Sequence, residues 1–78
     1  MPARTQLDEV DLAILRALAE LGRPARPKEI AERAGLDARR VAAKMRKLRR
    51  LGLVERVEEG VYQITEQGRK ALEQPVLA

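Results

Sequence analysis

Gly35 narrows what this chain can become more than any other residue. It separates two stretches of helical periodicity, one ending at Ala34 and the next beginning just after Asp37, so the connection must be a tight turn. A left-handed residue stops the first stretch there, and glycine takes that conformation without a Cβ penalty. Ala31 is small enough for close helix approach, Leu36 can pack back on Ala31, and Val41 can lock the second helix on the first. By itself, Ala-x-x-x-Gly-x-x-x-x-x-Val fits many helical hairpins.

The second stretch, Asp37 to Gly52, sorts into two faces. Val41, Met45, Leu48 and Gly52 fall on one narrow stripe suited to a core. Arg39, Ala43, Arg46 and Arg50 lie nearly opposite, with Arg40 and Lys47 beside them. Asp37 is a good N-cap, Leu36 and Val41 suit a hydrophobic staple, and Gly52 can end the helix in αL geometry. Seven cations, Arg39, Arg40, Lys44, Arg46, Lys47, Arg49 and Arg50, fall between Asp37 and Glu55 with no acid among them. The whole chain carries only +4, so the rest of it is net acidic and the basic character belongs to one helix. Solvated helices usually mix signs for i,i+4 pairing. A helix of one sign repels itself unless a polyanion neutralises it, which points to nucleic acid rather than a merely soluble face.

Composition bounds the rest. With 78 residues, no cysteine and 1% aromatics, the chain has room for one small aliphatic core without disulfide or thiolate-metal support. A core that size favours an oligomer interface for full stability. His, Cys, Ser and Asn are all absent. That removes the usual proton shuttle, nucleophiles and soft metal ligands, so no catalytic residue, metal site or cofactor is expected. No apolar run is long enough for a bilayer and the N-terminus lacks a signal-peptide layout, so a cytoplasmic protein with no membrane partner is expected. Arginine outnumbers lysine, a bias compatible with a thermophilic or GC-rich source.

Taken in order, residues 1–6 read as a flexible polar lead-in in which Arg4 is free to reach a partner. Asp8 caps a first helix with acids in its first turn and Leu7 stapled to Leu12. Its apolar face is Val10, Ile14, Ala17, Leu18 and Leu21, ending at Gly22. Leu12, Leu15 and Ala19 lie off that stripe, as in a dimer seam or, preferably, a helix sandwiched between two layers. Arg23–Pro27 is a proline-rich connector with room for a very short edge strand. Pro27 suits the first position of the second helix, Lys28–Ala34, whose Ile30, Ala31 and Ala34 face inward. After the basic helix, Leu53–Val57 and Val61–Ile64 are β-prone strands joined through Glu58-Glu59-Gly60. Thr65 caps a last helix from Glu66 to about Gln74, and Pro75 ends it before the tail.

This order of elements resembles the winged-helix DNA-binding domain of small prokaryotic regulators of the MarR, ArsR and PadR kinds. Three stretches carry the likeness: Glu29–Leu36; Leu48–Arg56; and Tyr62–Leu72, the last with the pattern Tyr-x-Ile-Thr-x-x-Gly-Arg-x-Ala-Leu. The resemblance implies a mainly α winged helix-turn-helix with a small β-hairpin wing, in the order α-α-α-β-β-α. It also implies a single domain over residues 1–78 with a C-terminal tail at 75–78. Ala38, Arg39, Arg40, Ala43, Lys44 and Lys47 would then face the major groove, Arg46 and Arg50 would lie near the flanking phosphates, and Arg56 would be the only basic wing residue. The expected partner is double-stranded DNA, bound by a homodimer acting as a transcriptional regulator, with no small-molecule effector evident.

The alternatives are a protein-interaction module in a transcription-related assembly and a non-specific chromatin protein. The wing departs from its relatives, since its tip is acidic where theirs is often basic, and it would stay off DNA or face a protein. The bland role of Arg56 is a cross-strand pair with an acid. For Tyr62 it is core packing with the hydroxyl at the rim, and for Gly68 it is close packing of the last helix.

Overall fold

The first helix is set by two aspartates. In a computed structural model, which describes residues 7–73, α1 spans Glu9–Leu21. The Asp11 N–H donates to Asp8 Oδ1 at 2.9 Å and the Asp8 N–H donates to Asp11 Oδ2 at 3.0 Å. This reciprocal capping box satisfies two donors that a helix start leaves without partners. Gly22 closes the helix in left-handed geometry, as the sequence predicts. Leu15, off the main apolar stripe, is fully buried with Ile14, Ala17 and Leu18. α1 packs on other elements from several sides, so the expectation of a sandwiched helix holds, although Leu12 and Ala19 are only half-buried.

The connector supplies the short edge strand its prolines leave room for. Ala25 exchanges both backbone hydrogen bonds with Tyr62, at 2.8 and 2.9 Å, and is itself buried. α2 then spans Pro27–Ala34, with proline at its first position. Glu29 reaches back to accept from the Arg26 N–H at 3.0 Å. Gly35 ends the helix at φ 72°, and the Leu36 N–H donates to the Ala31 carbonyl at 2.9 Å. That 6→1 bond is the Schellman closure the glycine allows.

α3 spans Ala38–Arg50 and starts where Asp37 accepts from the Arg39 N–H at 3.2 Å. Its exit repeats the same chemistry. Gly52, at φ 80°, donates to the Arg49 carbonyl, and Leu53 donates to the Leu48 carbonyl at 2.9 Å.

The hairpin differs in detail from the sequence expectation. β1 is Val54–Glu58 and β2 is Val61–Ile64, so the turn proper is only Glu59-Gly60. The antiparallel register runs Val54↔Ile64, Glu55↔Gln63, Arg56↔Tyr62 and then Glu58↔Val61, leaving Val57 as an extra residue in a bulge. Bulges turn a side chain out of alternation, and Val57 is the one large hydrophobic side chain among the described residues left exposed.

α4 covers Glu66–Glu73. The lead-in with Arg4, the stop at Pro75 and the tail lie outside the described residues. Thr65 joins α4 to the exit of α3. Its hydroxyl donates to the Gly52 carbonyl at 2.6 Å and accepts from the Gly68 N–H at 3.1 Å, while its own N–H donates to the Leu53 carbonyl at 3.0 Å. Gly68 is buried, and a Cβ there would fall 2.2 Å from the Leu53 carbonyl oxygen. The close packing expected of this glycine is therefore obligatory.

One aliphatic core results. Ile14, Leu15, Leu18, Ile30, Val41, Met45, Leu48, Leu53 and Val54 are essentially without solvent contact, each large side chain contributing about 1.5–3 kcal/mol of burial. Tyr62 and Ile64 pack at its edge. The stripe of α3 faces this core, which fixes the direction in which its opposite face looks.

Candidate nucleic-acid interface

Once Val41, Met45 and Leu48 are buried, the remaining side chains of α3 have prescribed directions. Arg39, Arg40, Ala43, Arg46, Arg49 and Arg50 are exposed. Among the described residues, none of these arginines forms an ion pair, and the carboxylates that do pair with an arginine lie on other helices: Glu29 with Arg23 at 3.3 Å and Glu20 with Arg33 at 2.9 Å. The Arg26 N–H and then Arg23 hold the Glu29 carboxyl below its ordinary range. Five guanidiniums on one helix thus have no ion-pair partner among the described residues.

The two lysines are placed differently. Lys44 Nζ lies 2.7 Å from Asp8 Oδ2 and 3.8 Å from Asp11 Oδ1, and Lys47 Nζ lies 2.6 Å from Asp11 Oδ2. Both lysine side chains keep only about a quarter of their exposure. The Lys44 ammonium, helped by the Asp11 N–H, pulls the Asp8 carboxyl well below the usual carboxylate range. Lys44 in turn is pushed up by its hydrogen bond to Asp8. Sequence periodicity places Lys47 on the solvent side of α3 and the family resemblance turns Lys44 outward, but neither gives a sign of α1 standing beside them. Ala38 also differs from the expectation of an open contact, being half-buried against the core.

Arg49 is the residue that the sequence reading left out of the site. It joins Arg46, Arg50 and Arg56 around an open groove of about 500 Å³ between the C-terminal half of α3 and β1, floored by Val54 and edged by Glu55. The cross-strand acid pair considered for Arg56 does not form. Arg56 stands opposite Tyr62, and Glu55 instead accepts from the Gln63 amide. On the helical wheel Arg49 sits close to the core stripe, and only the position of β1 shows that it points into a groove.

A helix-turn-helix whose second helix presents unpaired arginines, followed by a two-stranded hairpin, defines a class. Residues 7–55 match the winged helix-turn-helix DNA-binding family, and the chain belongs to it. The matched span runs from the start of α1 into β1. The chain is also similar to a solved structure from Pseudomonas aeruginosa PA01, a protein proposed to be a transcriptional regulator. The two are 30% identical with a TM-score of 0.73, over 91% of this chain and 53% of that one. This chain therefore spans about half the length of that protein. Among curated proteins, none matches it. No described helix is long and apolar enough to cross a membrane.

Proposed function

We propose that the chain is a prokaryotic transcriptional regulator that reads double-stranded DNA with α3 in the major groove. The observation that carries this reading is the row of exposed α3 arginines without carboxylate partners among the described residues. Arg39, Arg40 and Ala43 lie toward the N-terminal half of the helix, the part that meets base edges in helix-turn-helix proteins. Arg46, Arg49, Arg50 and Arg56 line the groove beside it and suit a flanking phosphate strand. Arginine forks match guanine O6 and N7, so the expected sequence preference is for guanine. Glu58 and Glu59 at the wing tip are exposed and would repel phosphate, which favours a wing held off the duplex.

A homodimer would set two α3 helices in successive major grooves about 34 Å apart. The similarity to a protein proposed as a transcriptional regulator supports the regulatory role.

The test is binding to duplex DNA across a salt series. Arg39→Glu combined with Arg40→Glu should abolish binding while helicity stays at the wild-type level. A double variant that binds normally would show that another surface meets the DNA.

A further inference from the structure

We infer that Asp8 and Asp11 are specificity-determining residues: they withhold Lys44 and Lys47 from phosphate, so that α3 meets DNA with arginines alone. The inference rests on the proposed reading of α3 as the DNA-contacting helix.

Both ion pairs are built into the start of α1. Asp8 and Asp11 are oriented by the capping box independently of the lysines, each accepting the other's N–H. The lysines lie against these oriented carboxylates, Lys44 at 2.7 Å and Lys47 at 2.6 Å. Asp11 has no solvent exposure. Its Oδ2 serves Lys47, while its Oδ1 has, among the described residues, no hydrogen-bond donor and only Lys44, at 3.8 Å, for company. Drawing Lys47 away to a phosphate would strand a buried charge, a far worse outcome than loosening a surface pair. Two ammoniums and two carboxylates make a patch that is neutral overall, beside arginines that have no such restraint.

The consequence is a separation of two kinds of attraction. Sequence-independent binding grows with every phosphate that a cation neutralises, and log K falls with log salt by about 0.9 per contact. Base readout depends instead on fork-shaped guanidiniums that can meet guanine edges. Lysine is a strongly hydrated point charge, so latching it removes phosphate attraction and costs little readout. Two withheld contacts remove about 1.8 from the salt slope, roughly a 3.5-fold difference in sensitivity for each doubling of salt.

Three variants and a salt series on duplex DNA of random sequence test this. Asp8→Asn combined with Asp11→Asn keeps both capping acceptors and frees both lysines. The double variant should steepen the slope by about 1.8 and tighten non-specific binding on the order of sixtyfold at 0.1 M salt. Lys44→Gln, which removes no cap, should keep the wild-type slope and stay within about twofold of wild-type affinity. Arg50→Gln should flatten the slope by about 0.9. A Lys44→Gln slope as flat as that of Arg50→Gln, or a slope of the Asp8→Asn, Asp11→Asn double variant equal to wild type, overturns the withholding of lysines while leaving the arginine face standing. An Arg50→Gln slope equal to wild type overturns the arginine face and this inference with it.

Discussion

Alanine at position 68 sets helix propensity against packing, and the structure decides between them. Gly68 lies within α4, where replacing glycine by alanine ordinarily stabilises by about 0.8–1 kcal/mol. Here the new Cβ would lie 2.2 Å from the Leu53 carbonyl oxygen and 2.6 Å from Ile64 Cγ1. Carbon and oxygen approach no closer than about 3.3 Å even in favourable C–H···O contacts, so α4 would have to retreat by about 1 Å.

The helix is not free to do so. The same Leu53 carbonyl accepts the Thr65 N–H at 3.0 Å, and the Thr65 hydroxyl holds the Gly52 carbonyl at 2.6 Å. Overpacking of this kind costs about 1–3 kcal/mol, and a lost hydrogen bond adds about 1 kcal/mol. After the propensity gain, Gly68→Ala should still destabilise by about 2 kcal/mol. For a domain of this size that lowers Tm by roughly 8–16 °C, measured by circular dichroism with Lys70→Ala as a nearby exposed control. A Gly68→Ala protein that melts at or above the wild type would refute the packing account and leave propensity as the stronger term.

Two further outcomes follow from the caps. The Asp8 carboxyl is held below its ordinary value of 3.8 in the folded protein, so its contribution to stability is complete above that pH and is lost as pH falls through the depressed folded value. Tm should therefore fall more steeply in acid for the wild type than for Asp8→Asn, and parallel profiles would exclude Asp8 as a source of the acid sensitivity. At Gly35 a Cβ would meet nothing within 4 Å, yet φ is 72°, so Gly35→Ala should cost about 1–2 kcal/mol of backbone strain alone. Gly35→Asn should cost less, because Asn tolerates the left-handed region, and urea denaturation showing equal losses would argue against strain as the cause.

The parts of the fold legible in the sequence are those governed by neighbours along the chain. Asp8, Gly22, Pro27, Gly35, Asp37 and Gly52 mark helix ends through local hydrogen bonds, and each end falls where its residue predicts. The Val41, Met45 and Leu48 stripe is likewise read from spacing, and so is the exposed direction of Arg39, Ala43, Arg46 and Arg50. The features that escaped depend on elements brought together from far apart. Lys44 meets Asp8, and Lys47 meets Asp11, across 36 residues, and a helical wheel knows nothing of the helix alongside. Arg49 gains its role from the place of β1, and the bulge at Val57 from a register that alternation alone does not specify.

The two backbone bonds between Ala25 and Tyr62 bear on where the chain can be cut. A fragment stopping at residue 55 would contain everything that matches the family, yet it would leave the amide and carbonyl of a buried Ala25 facing no strand. It would also strip Tyr62, Ile64 and α4 from the edge of the core. The stretch that identifies the protein is thus shorter than the stretch that must be made for it to fold, and truncation at the family boundary should yield a chain prone to proteolysis rather than a minimal DNA-binding unit.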